Sequence, residues 1–117
     1  MAYVDGFVVP VLKDKVQVYK EKSRICAEVW KSHGALSYVE CVADDVPYGE
    51  LTSFPRAVQL KPEEIVVFSW ITYESRQQRD AVNAKVMADP RLKDIMQEMP
   101  IDGKRMIFGG FEQLLSL

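Results

Sequence analysis

An α+β fold is predicted by three features of this 117-residue sequence. Several segments are rich in β-branched and aromatic residues, two segments between them carry apolar residues at helical spacing, and Gly, Pro or Asp breakers stand at the junctions. In chain order they read strand, helix, strand, a hairpin extension, strand, helix, strand. That is the βαββαβ plan of ferredoxin-like folds, here with an extra hairpin strand. Right-handed crossovers then put the two main helices on one face of an antiparallel sheet. The length and a hydrophobic content of 48% suit a single domain over residues 1–117.

The first strand is "YVDGFVVPVL", 3–12, with Pro10 expected to mark its end or a bulge. Asp14 and Gln17 then stand at capping-box spacing, opening a long helix on which Val16, Tyr19, Ser23, Cys26 and Trp30 share a face. His33 and Gly34 close it, the glycine suited to a left-handed turn and the histidine to the negative end of the helix dipole. "LSYVECV", 36–42, is the second strand, and the breakers Asp44, Asp45, Pro47 and Gly49 make the following segment a solvated turn. "FPRAVQL", 54–60, reads as the extra strand, paired across Lys61–Glu63 to "EIVVFSWITY", the strongest strand of the chain. Ser75 and Gln78 repeat the capping-box spacing for a helix to about Ala88, and Pro90 fits the first position of a short helix bearing Leu92, Ile95 and Met96. A last strand runs from Arg105 through the pair Gly109–Gly110, where a bulge or sharp twist is expected to bend the chain toward a partner.

Side-chain parity divides the strands into faces. Val4, Gly6 and Val8 oppose Tyr3, Asp5, Phe7 and Val9 in the first strand; Ile65, Val67 and Ile71 oppose Val66, Phe68 and Trp70 in the third. The aliphatic sets are assigned to the helices and the aromatic sets to the uncovered face. Tyr3, Phe7, Phe68 and Trp70 would there form an apolar patch of the kind that marks an interface. A homodimer through that face and the C-terminal strand follows. Asp5 would lie on it between two aromatic rings, with Tyr38 and Glu40 sharing the face if the second strand keeps the same parity, and with Arg105 nearby. Candidate pocket or dimer-face residues are therefore Tyr3, Asp5, Phe7, Trp70 and Arg105, with His33 as a further candidate set against its helix-end role. A structural ion pair is the competing reading for Asp5.

Composition excludes several classes. Fifteen Lys and Arg against seventeen Asp and Glu give a net charge of −2, scattered along the chain, so nothing forms the basic footprint of a nucleic-acid-binding protein. No apolar run approaches the roughly 18 residues of a membrane span, and no signal-peptide pattern follows Met1, so a cytoplasmic location is expected. Cys26 and Cys41 are too few and too far apart for a disulfide scaffold or zinc ribbon. With a single histidine in the chain, no metal and no cofactor is expected. Nucleophile elbows, phosphate loops and zincin patterns are absent, and Gly109–Gly110 is not a dinucleotide fingerprint.

"YVDGFVVPV", "GALSYVECVADDVP", "VVFSWITY", "RDAVN", "DPR" and "DGKRMIFGGFE", in this order along nearly the whole chain, resemble the YbaA-like family of uncharacterised bacterial proteins. The resemblance implies a dimeric α/β barrel of two ferredoxin-like subunits joined sheet to sheet, and no established reaction. The wider superfamily includes cofactor-independent monooxygenases, haem-degrading enzymes, isomerases and binding proteins, among which fold does not choose. Two functions are carried forward: a protein that binds or transforms a small molecule, with oxygenase- or isomerase-like chemistry, and a non-enzymatic dimeric interaction module.

Overall fold

β-branched and aromatic residues extend the chain over Tyr3–Leu12 as β1, in a computed structural model that describes residues 2–117. A 3-10 turn over Lys13–Lys15 leads to helix α1, Val16–Ser32, then strand β2, Ser37–Val42. A short helix α2, Phe54–Ala57, precedes strand β3, Glu64–Tyr73; helices α3, Arg76–Met87, and α4, Pro90–Gln97, lead to strand β4, Ile107–Glu112. The antiparallel sheet has the order β2-β3-β1-β4. This is the ferredoxin-like plan, with α1, α3 and α4 on one face.

Several local expectations hold. The Ser75 side chain accepts from the Gln78 N–H at 3.1 Å, and Pro90 is the first residue of α4; the structure adds Asp89 as its cap, accepting from the Arg91 N–H at 2.9 Å. Gly34 ends α1 with φ +116°, a conformation that a Cβ would oppose. Pro10 does not end β1: β4 pairs only as far as Val8↔Ile107, which leaves Pro10 where one flank of the strand is free of the ladder.

Other expectations are corrected. The Asp14–Gln17 box does not form, because the chain leaves β1 through the 3-10 turn and α1 begins beyond Asp14 with no side-chain cap. Residues 54–60 are not a strand. Ser53 accepts from the Arg56 N–H at 3.2 Å, Pro55 fits the first turn of α2, and Val58 is driven onto Val8 and Val66, so capping and proline outweigh the weak alternation.

The register inverts one assignment of faces. Directly opposed residues of an antiparallel pair share a face, and Tyr3, Asp5 and Phe7 lie opposite Tyr73, Ile71 and Ser69. Ile71 and Val67 do turn to the helices as expected, and so carry Tyr3, Asp5, Phe7 and Val9 with them. The face away from the helices instead takes Val4, Gly6 and Val8 beside Phe68 and Trp70, with Ile107, Gly109 and Phe111 of β4; Val58 covers its Val8 end, and the rest is open. It remains apolar: Phe68, Ile107 and Phe111 are 41, 44 and 64% exposed. Side-chain bulk within β1 was no guide to its direction, since the open face uses Gly6 as a floor for neighbouring rings.

The paired glycines make no bulge, because the β1–β4 register runs unbroken from Tyr3↔Glu112 to Val8↔Ile107. They make room for rings on opposite sides. The Phe111 ring lies 3.6 Å from where a Gly109 Cβ would stand and 3.9 Å from that of Gly6. A Gly110 Cβ would collide with Tyr3, at 2.8 Å from Cε2 and 2.9 Å from Cζ and nearer still to its hydroxyl. Beyond β4, Gln113 still donates to the Ala2 carbonyl, while Leu114, Leu115 and Leu117 are exposed.

Candidate functional site

The predicted site residues separate into four places. Trp70 is on the open face, packed against Phe68 at 5.6 Å between centroids. Arg105 is at the far end of the sheet from Asp5: it grips Glu64 with two hydrogen bonds of 2.7 and 2.6 Å and donates to Asp102 at 2.8 Å. The guanidinium holds the Glu64 carboxyl down at about 2, and the pair joins the start of β3 to the approach of β4. His33 bonds through Nε2 to Asp89 at 2.8 Å, tying the end of α1 to the start of α4.

Asp5 is buried beneath the helices, and its partner is Arg79 of α3, which donates at 2.9 Å. The same guanidinium donates to the Tyr3 hydroxyl at 3.3 Å and lies 4.9 Å from the Tyr3 ring centre. Burial holds the Asp5 carboxyl above its ordinary range while Arg79 pulls the other way. Asn83 completes the surroundings, its Oδ1 accepting from Trp30 Nε1 at 3.2 Å and from the Tyr73 hydroxyl at 3.4 Å. Each polar side chain in this group has a partner, as a structural network requires. Phe7 reaches the other way and lines a cavity on the same side of the sheet.

That cavity, about 120 Å³, is walled by Phe7, Trp30 and Ile71 and by Met96, Met99 and Met106. A second, about 300 Å³, opens between α1 and β2, with Val16, Ala27, Val42 and Val67 in its wall. Tyr19, Tyr38 and Glu40 line both. The sequence places them there for simple reasons. Tyr38 and Glu40 are two apart on β2 and lie opposite Ile71 and Ser69, so both point toward the helices. Tyr19, Ser23 and Cys26 fall on the buried stripe of α1.

Glu40 differs from Asp5 in having no basic partner. Its Oε2 is buried without a hydrogen-bond partner, as is Ser23 Oγ on the facing helix. Burial pushes the Glu40 carboxyl up, with the Tyr19 and Ser69 hydroxyls pulling it back. The tyrosines stay protonated: burial and the neighbouring Glu40 charge raise both Tyr19 and Tyr38 far above the ordinary phenol value. The same two causes bring the Cys26 thiol up to about 11, which makes it a poor nucleophile. An unpartnered carboxyl oxygen between two cavities and beside two neutral phenols is a place for a ligand's hydrogen-bond donor. Among the described residues no group of three or more His, Cys, Asp or Glu side chains is placed to hold a metal ion.

Parity put Tyr38 and Glu40 on one face with Asp5, and they are on one face; it is the helix face. Glu40 itself was not singled out as a site. A carboxylate two residues from a tyrosine in a strand was the available signal, and the missing part was which side the helices cover.

Residues 2–103 match a family described as proteins of unknown function, DUF1428. The chain belongs to that family. It is 53% identical over 115 residues to the uncharacterised protein YbaA of Escherichia coli K12, covering 98% of each chain. Among solved structures it is similar in fold to a provisionally assigned antibiotic biosynthesis monooxygenase from Nitrosomonas europaea, with TM-score 0.60, 15% identity, and coverage of 97% of this chain and 90% of that one. It is also similar to a dimeric ferredoxin-like protein from an uncultured marine organism, with TM-score 0.60 and 10% identity over the whole of both chains. At such identities the likeness concerns the fold of the DUF1428 chain. The helix that carries Tyr19 and Ser23 and the strand that carries Glu40 both fall within the matched family segment.

Proposed function

We propose that this protein binds and transforms a small molecule in the chamber between α1 and the sheet, with Glu40 as the proton acceptor. The observation that carries the reading is Glu40, a residue in the wall of two cavities of about 300 and 120 Å³ whose Oε2 is buried without a hydrogen-bond partner. A carboxyl raised by burial works as a general base closer to neutral pH than an exposed one. In the step assigned to it, an O–H or weakly acidic C–H bond of the ligand breaks, the proton passes to Glu40, and the electron pair stays on the ligand. Return of the proton to another atom of the ligand would make the net change an isomerisation. The similarity in fold to the Nitrosomonas protein makes oxygen, acting on the anion so formed, a co-reactant to include in assays.

The working unit is a homodimer joined through the open sheet face, in the cytoplasm. Exposed Phe68, Ile107 and Phe111 support such a partner, as does the fold shared with a dimeric ferredoxin-like protein. The dimer leaves the chamber accessible because the chamber is on the opposite side of the sheet. No helix among the described residues is long and apolar enough to cross a membrane, and two free thiols suit a reducing compartment.

The test is a thermal-shift screen of aromatic, hydroxylated and enolisable compounds against the wild type and Glu40→Gln. The reading expects a hit that stabilises the wild type and loses most of its effect in the variant. A hit of equal strength on both proteins overturns the role of Glu40. A dimeric interaction module with no ligand is the reading that remains if no compound binds.

A further inference from the structure

The larger cavity is electrically lopsided. Where it adjoins the smaller cavity it is lined by Glu40, Tyr19 and Tyr38, with the buried Ser23 also in its wall, and Glu40 is the one acidic residue of that wall; the basic residues are Lys20 and Arg24. These two are four residues apart on α1 and so stand side by side on the helix surface. Both are exposed, and each immediately follows a buried residue of the chamber, Tyr19 before Lys20 and Ser23 before Arg24. Arg24 has only a loose 3.6 Å contact with the exposed Glu28. Between the two ends the wall is aliphatic, with Val16, Ala27, Val42 and Val67.

We infer that the ligand of this chamber is a small apolar acid: its carboxylate sits at the mouth against Lys20 and Arg24, and a hydroxyl or enol at the other end donates to Glu40. This rests on the small-molecule reading above and names the ligand class for it. A ligand entering the other way round would set its carboxylate beside Glu40, where two like charges in a buried site repel. A neutral ligand would leave the two mouth cations unused, and a cationic one would be repelled by them. A volume of about 300 Å³ is at the lower bound of small-ligand pockets and suits a single ring or a short branched chain. The smaller cavity, which shares Tyr19, Tyr38 and Glu40 with the larger one, is lined by Met96, Met99 and Met106, side chains that adapt readily to different ring substituents.

The experiment is titration of the isotopically labelled full-length protein, followed by backbone amide shifts, with three probes: 4-hydroxyphenylacetate, phenylacetate and tyramine. The inference expects 4-hydroxyphenylacetate to shift residues on α1 and β2 around Tyr19, Ser23 and Glu40. Tyramine, whose cation replaces the carboxylate, should bind at least about tenfold more weakly, and so should 4-hydroxyphenylacetate to the doubly substituted Lys20→Met, Arg24→Met protein. Those positions are exposed, so circular dichroism should show an unchanged fold. Phenylacetate should bind more weakly than its hydroxylated form to the wild type and equally with it to Glu40→Gln. If tyramine binds as well as the acid, or the double variant loses nothing, the assignment of the carboxylate to the mouth is overturned while binding at Glu40 stands. If none of the probes moves the chamber residues, the ligand class is overturned. A different compound from the broader thermal-shift screen that depends on Glu40 would then keep the small-molecule reading alone.

Discussion

Two carboxyl groups on the helix face of the sheet are both raised by burial, and only one of them has a cation. Asp5 is held by Arg79, so deleting the arginine leaves a buried charge alone; Arg79→Met should cost about 3 kcal/mol in urea unfolding. The double change Asp5→Asn, Arg79→Met should recover a large part of that loss, because it removes the unpaired charge as well. Glu40 has no such partner, and its carboxyl is raised in the folded chain. The sign of its pH dependence follows: the folded state holds that proton more tightly than the unfolded one, so stability falls as pH rises through the folded-state value. Glu40→Gln should therefore be more stable than the wild type at about pH 8, the difference shrinking toward about pH 4, where the wild-type carboxyl is neutral too. Equal stability at both pH values would show that Glu40 is solvated.

At the scale of elements, β4 and the start of β3 are locked by Arg105. Its grip holds Glu64 at about 2 against an ordinary 4.5, so this contribution is present above pH 4.5 and is lost as pH falls toward 2. Glu64→Gln should lose that contribution at neutral pH and flatten the acid limb of the stability profile. The glycines of β4 separate in the same way. Gly110→Ala forces Tyr3 away from Arg79 and should lower stability, whereas Gly109→Ala meets Phe111 at ordinary contact distance and should change it little. Equal effects of the two would contradict the ring-seating account.

These elements also show what could be read in advance. The order of the four main strands and two main helices, the Ser75 cap and the Pro90 start depend on near neighbours in the chain, and each is where the sequence puts it. The direction of β1 depends on its register against β3, which parity alone does not supply; Tyr3, Asp5 and Phe7 therefore changed faces while Val67 and Ile71 did not. Residues 54–60 had a Ser–x–Pro start that outweighed their alternation. Arg105 and Asp5 are adjacent to different parts of the ladder, and only the fold reveals that Arg79, from the middle of α3, reaches Asp5.

Across the whole molecule, the sheet separates two surfaces with different roles. One carries Phe68, Trp70, Ile107 and Phe111, the face proposed above to meet a second copy; the other is covered by helices and contains the chamber around Glu40. Phe68→Glu should yield a monomer in sedimentation at micromolar concentration and leave ligand binding in the chamber intact, since the two surfaces lie on opposite sides of β3. Loss of binding together with the dimer would mean that the chamber is completed by the partner. Whether the space beside Glu40 holds a ligand decides the function of this fold. A high-resolution crystal structure of the protein soaked with the strongest compound from the thermal-shift screen tests this most directly. Density is expected between α1 and β2 with a donor atom about 2.6–3.2 Å from Glu40 Oε2; α1 collapsed onto β2 with solid packing there, and the compound elsewhere or absent, would show that the chamber is not a ligand site.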